Sequence, residues 1–137
     1  MTVIYPVIFT ATHDKKDTYL VYIPDLDGMT EGYGLENAYH MARDYMGCTL
    51  WRMDDEDIPA ASDIARVRPV DSAFAGQGES FVTLMDLDLT AYRRQMNKKS
   101  VRRNVSIPAW LNQAAEEAHL NVSRVLQEAL MEKLGVY

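Results

Sequence analysis

The short run Arg102-Arg103-Asn104-Val105-Ser106-Ile107 alternates polar and apolar side chains toward its end. In an extended chain Arg102, Asn104 and Ser106 point to one side, and Val105 and Ile107 to the other. The three polar types share one chemistry, hydrogen bonding to the edges of nucleic-acid bases. Arginine suits guanine, asparagine suits adenine and serine suits either. Lys98, Lys99 and Arg103 add positive charge for phosphate oxygens, although strict alternation puts Arg103 on the inner side near the end of the run.

An extended run presents such side chains only if other elements hold it. Pro108 stops the run, supplies no N–H to a ladder, and suits the first turn of a helix. Leu111, Ala114, Ala115 and Ala118 then mark one apolar face at helical spacing. Asn121 is a good cap for a second helix with a wide stripe of Val122, Val125, Leu126, Ala129, Leu130 and Leu134, and Gly135 closes it. One strand followed by two helices is the layout of a ribbon-helix-helix unit. Such a unit is too small to bury a core alone, and a single strand cannot stay unpaired. Two copies of the strand pairing antiparallel over interlocked helices solve both problems, so a homodimer or a higher homo-oligomer built from it is expected. Val105, Ile107, Leu111, Val125, Leu126 and Leu130 are then the expected dimer core, and a two-stranded ribbon fits the major groove of double-stranded DNA. The N–H groups opening the second helix, near Val122, Ser123 and Arg124, suit a phosphate, so Ser123 and Arg124 join Lys98, Lys99 and Arg103 as expected backbone contacts.

Charge is distributed in the same sense. Residues 93–137 hold eight basic and four acidic residues, a net of +4, against six basic and sixteen acidic in residues 1–92, a net of −10. Together they make the −6 of the whole chain. An acidic chain with a basic end reads as two jobs, one of them electrostatic attraction to phosphate. At 137 residues the chain holds one ordinary domain or two small ones. No apolar run reaches the length of a membrane span, and the N-terminus lacks the pattern of a secretion signal. A lone Cys48 excludes an internal disulfide framework, so a cytoplasmic chain is expected.

Taken in order, residues 3–11 read as a strand with Pro6 favouring an edge or a bulge. A turn at residues 13–17, a strand at 19–23, a Pro/Gly turn at 24–28 and a brief strand around residues 29–31 give a small antiparallel sheet. From Leu35 to Met53 the pattern is helical, with Leu35, Ala38, Ala42, Tyr45, Met46 and Met53 facing the sheet and Gly47 a weak point. Residues 54–57 are all acidic and read as a solvated loop or a contact for a basic partner. An extended stretch at 58–62, a weakly patterned connection at 63–79 and a strand at 80–88 follow. Residues 89–99 lose the apolar pattern and read as a linker, opening with a helical turn. The expected fold is therefore α+β, with domains at 1–88 and 100–137 joined by the linker 89–99.

These residues together resemble the HicB family of antitoxins. In the N-terminal half the match runs through Tyr5-Pro6, Tyr19, Pro24-Asp25-Leu26, Gly28, Thr30-Glu31-Gly32 and Ile58-Pro59-Ala60-Ala61-Ser62. In the C-terminal part it runs through Asn104-Val105-Ser106-Ile107-Pro108, Trp110-Leu111, Asn121-Val122-Ser123 and Leu126-Gln127-Glu128-Ala129-Leu130. Asp27 and Ala61 depart from it, where the family often has proline. The resemblance implies a partial ribonuclease-H-like N-terminal domain, an antiparallel sheet plus one long helix, without activity of its own. It further implies that this domain neutralises a small basic RNA-cleaving toxin similar to HicA, while a dimeric ribbon-helix-helix represses the operon. The C-terminal module varies in the family, so its assignment here rests on this sequence.

A ribonuclease-H-like fold invites a search for metal-binding carboxylates, and Asp25, Asp27 and Glu31 lie close in sequence. Aspartates in a Pro/Gly turn have backbone reasons to be there, so no catalytic site and no metal or other cofactor is expected. Asp25, Asp27, Glu31, Asp54, Asp55, Glu56 and Asp57 are instead the candidates for contacting a basic toxin. His13, His40 and His119 make no ligand spacing. His40 is expected on the surface and the Cys48 thiol in the interior, with Trp110 packed at the start of its helix. The competing readings are a repressor whose N-terminal domain senses a ligand or metal and, further behind, a divalent-metal nuclease.

Overall fold

A computed structural model of the chain describes residues 1–136. Eight regular elements follow one another: β1 (Thr2–Thr12), β2 (Thr18–Ile23), β3 (Gly28–Tyr33), α1 (Leu35–Leu50), β4 (Gly78–Asp88), α2 (Leu89–Met96), α3 (Ala109–Glu117) and α4 (Val122–Leu134). Short 3-10 turns punctuate the loops at Pro24–Leu26, Asp55–Asp57, Ile64–Arg66 and Pro69–Asp71. The chain divides into two compact units, Met1–Lys99 and Ser100–Tyr137.

In the first unit the four strands form one antiparallel sheet in the order β3-β2-β1-β4. β1 pairs along its whole length with β4, from Thr2↔Asp88 to Thr12↔Gly78. Its ladder with β2 covers only Ile8↔Tyr22 to Ala11↔Tyr19. Pro6 therefore stands in a central strand rather than at an edge, in a half of β1 that has lost its second ladder, so the missing N–H leaves no gap in the β2 pairing. Alternate residues Val3, Tyr5, Val7 and Phe9 face the core with Val21, Ile23, Met85 and Leu87, beneath Ala38, Ala42, Met46 and Leu50 of α1. Helix and sheet approach closely because Gly32 lacks a side chain: a β-carbon there would lie 2.4 Å from the Ala38 α-carbon.

Helix α1 ends at Leu50, short of Met53, and Leu35 at its start is exposed while Leu50 is fully buried. Cys48 is exposed, contrary to the expectation of an interior thiol, because it sits beside the buried stripe Ala42-Met46-Leu50 and not on it. The segment expected to be a linker begins with a packed helix. Asp88 caps α2 by accepting from the Ala91 N–H at 3.0 Å, Leu89 is fully buried, and Tyr92 packs on the core. Arg93 fastens α2 further, donating to the Trp51 carbonyl (3.2 Å), the Met53 carbonyl (2.7 Å) and the Asp55 carboxylate (2.7 Å).

In the second unit α4 starts and stops where capping chemistry places it, while α3 opens after Pro108 without a side-chain cap. The Asn121 side chain accepts from the Arg124 N–H at 3.2 Å, and Gly135 takes the left-handed conformation, φ 69°, that closes α4. No residue of α3 or α4 is buried.

Candidate nucleic-acid and partner interfaces

Residues 101–108 carry no regular hydrogen-bonded structure, so the strand expected at 102–107 is absent from the single chain. The reason is physical: a strand is a pairing, and this unit offers no second strand to complete one. Every residue from Val101 to Trp110 is exposed, which leaves the Arg102, Asn104 and Ser106 side chains free to meet another molecule. The expected core residues are also open to water, among them Val105, Ile107, Leu111, Val125 and Leu126, with Leu130 60% exposed. Trp110, expected to pack, is 71% exposed in the isolated chain.

At the opening of α4 the Arg124 N–H is already used by the Asn121 cap, leaving Val122 and Ser123 to offer theirs. The Arg124 guanidinium meets Glu128 one turn on, at 3.1 Å. Both side chains are largely solvated, so the pair holds with only a few tenths of a kcal/mol, about 0.3–0.5, and a phosphate competes easily.

The boundary at Lys99 also relocates the basic charge. Residues 100–137 hold four basic and four acidic groups, so this unit is neutral. The positive charge lies in residues 93–103, which carry six basic residues and no acid. Arg93 is committed to Asp55, which leaves Arg94, Lys98, Lys99, Arg102 and Arg103 within ten residues of sequence.

The acidic candidates separate into committed and free groups. Asp25 accepts from both the backbone N–H (3.0 Å) and the hydroxyl of Ser62, tying the stretch after Ile58 to the β2–β3 turn. The Tyr5 hydroxyl, donating to the Pro59 carbonyl at 2.6 Å, fixes the same stretch. Burial, aided by the Asp25 charge, raises the Tyr5 pKa, which keeps that donor protonated. Asp55 is held by Arg93. Asp54, Glu56 and Asp57 are exposed, as are Asp27 and Glu31 on the opposite side of the chain order. Asp27 accepts from the Tyr22 hydroxyl at 3.0 Å, and this bond raises the Tyr22 pKa above its ordinary value. Among the described residues no group of three or more His, Cys, Asp or Glu side chains converges as a metal site would require. No helix there is long and apolar enough to cross a membrane.

Sequence reasoning missed the Arg93 fastening and the Asp25–Ser62 tie. The spacing of Leu89, Tyr92 and Arg93 after a capping Asp88 carries the helix signal that locates the first. The second joins residues far apart in the chain and has no local signature.

Comparison with known proteins places this arrangement. No curated protein matches the chain by sequence. Among solved structures, a toxin–antitoxin complex from Streptococcus pneumoniae is similar at 26% identity with a TM-score of 0.61, over 97% of this chain and 99% of that one. The antitoxin HicB of Burkholderia pseudomallei, a crystal structure, is 22% identical over 97% of both chains, with a TM-score of 0.49. The family model of HicB-like antitoxins of bacterial toxin–antitoxin systems matches residues 5–129, through both units. With its four-stranded antiparallel sheet, its four helices and a family match across nearly its whole length, the chain belongs to the HicB-like antitoxins.

Proposed function

We propose that this chain neutralises a small, basic, RNA-cleaving toxin similar to HicA through residues 1–99 and represses its own operon through residues 100–137. The observation that carries this reading is the family match over residues 5–129, which spans an acidic body and the basic segment at residues 93–103 together. In this reading the body is a partial ribonuclease-H-like domain that works by occlusion. It covers the toxin's active surface and performs no chemistry itself. Carboxylates without an internal ion-pair partner supply attraction for a basic protein, steering encounter more than holding the complex.

The C-terminal unit acts as a ribbon-helix-helix homodimer. Its exposed apolar stripe supports this, since Val125, Leu126 and Leu130 stay open to water in one chain. Pairing of residues 102–107 from two chains completes the ladder and sorts the side chains. Val105 and Ile107 turn toward the helices, while Arg102, Asn104 and Ser106 face the major groove. Lys98, Lys99 and Arg103 from both chains then flank the ribbon, and Ser123 and Arg124 at the start of α4 clamp the DNA backbone. Co-expression with the small basic protein encoded beside this chain tests the reading. Restored growth with a stable co-purifying complex is the expected result, and a harmless or non-binding neighbour overturns it.

A further inference from the structure

The outward face of β2 and β3 combines exposed apolar side chains with carboxylates that nothing in the fold neutralises. β3 is the end strand of the sheet, and Met29, Glu31 and Tyr33 share its outward face. Met29 is 53% exposed and Tyr33 68%. Tyr22 stands directly opposite Met29 on β2 and holds Asp27 through its hydroxyl, at 3.0 Å. Neither Asp27 nor Glu31 has an ion-pair partner among the described residues. Lys15 and Lys16 stand beside Asp14 and Asp17 in the turn before Thr18, at the Tyr33 end of the strands and away from Asp27, and Arg43 is paired with Asp86.

We infer that this face, with Met29 and Tyr33 as anchors and Asp27 and Glu31 as its charged rim, seats the small basic protein that the antitoxin neutralises. The inference rests on the toxin-neutralising reading and adds a location to it. Charge complementarity selects the occupant: an aromatic and a methionine flanked by unpaired carboxylates match an apolar centre ringed by lysine or arginine. Another exposed apolar pair, Ile4 and Leu84, lacks this complement because neighbouring Asp86 is held by Arg43 at 3.1 Å. The acidic run after α1 is a weaker seat. Asp55 is spent on Arg93, and residues 54–57 are all acidic, with no apolar anchor among them.

Calorimetric titration of the full-length chain with a catalytically inactive form of the toxin encoded beside it tests the location. Glu31→Lys combined with Tyr33→Ala is expected to weaken binding tenfold or more, with operator DNA binding unchanged as the control for folding. Asp27→Asn, which keeps a residue tolerant of the left-handed turn conformation, is expected to weaken binding less and to flatten its salt dependence. Neutralising Asp54, Glu56 and Asp57 together is expected to leave affinity within threefold of wild type. Wild-type affinity in both β3-face variants, or loss confined to the 54–57 variant, overturns the location. Absence of binding by the wild-type chain overturns the toxin reading itself, and the location with it.

Discussion

The ring of Tyr92 lies against the backbone of Gly47, so close that a β-carbon on residue 47 would fall 2.3 Å from it. Read from helix propensity alone, Gly47 only weakens α1. In the fold it is the notch that admits α2.

The two effects have opposite signs, so Gly47→Ala decides between them. Propensity favours alanine by about 1 kcal/mol, whereas overpacking costs about 1–3 kcal/mol. We expect net destabilisation in urea unfolding. In a Tyr92→Ala background the same substitution is expected to stabilise, because the notch is then empty. A stabilising Gly47→Ala in the otherwise unchanged chain contradicts the packing of α2.

Tyr92 also gives alkaline stability a defined dependence. Its pKa is raised by the hydrogen bond with Cys48 (3.1 Å) first, by burial second and by the Asp44 charge third. A raised phenol pKa means that the fold favours the protonated form. The contribution is present below the ordinary tyrosine value of about 10 and is lost as pH rises through the higher folded value. Urea unfolding of the wild type should lose stability between about pH 9 and about pH 11 more steeply than unfolding of Tyr92→Phe. Parallel losses in the two proteins contradict this.

At the reading strand, Asn104→Ala is expected to weaken operator binding by about 1–3 kcal/mol, since an asparagine–adenine pair is bidentate. Toxin neutralisation is expected to remain intact. A gel-shift titration reads the first effect, and equal affinities for variant and wild type sink the assignment.

The exposed stripe of α4 is expected to be the dimer seam. Leu126→Glu together with Leu130→Glu places two charges where the partner chain would pack, which should make the protein monomeric in sedimentation analysis and abolish operator binding. A dimer of wild-type stability contradicts the seam.

What could be read from the sequence was local. Asn121 and Gly135 bound α4 where capping chemistry says they should, and residues 3–11 lie in the strand that their β-branched and aromatic types indicate. What could not be read depended on distant partners. Arg93 reaches carbonyls some forty residues earlier, and Ser62 closes on Asp25, so neither commitment is visible in a window of neighbours. The basic end was legible as charge, but its division was not. The packing of Leu89 and Tyr92 and the bonds of Arg93 assign α2 to the first unit and leave residues 100–137 neutral. Residues 102–107 carry alternation but form no ladder within one chain.

Neutralisation itself is read by an RNA-cleavage assay with purified toxin, titrated with this chain. Cleavage is expected to fall to background at a stoichiometric ratio, with residues 100–137 not required once the complex has formed. Undiminished cleavage in the presence of excess chain would contradict it.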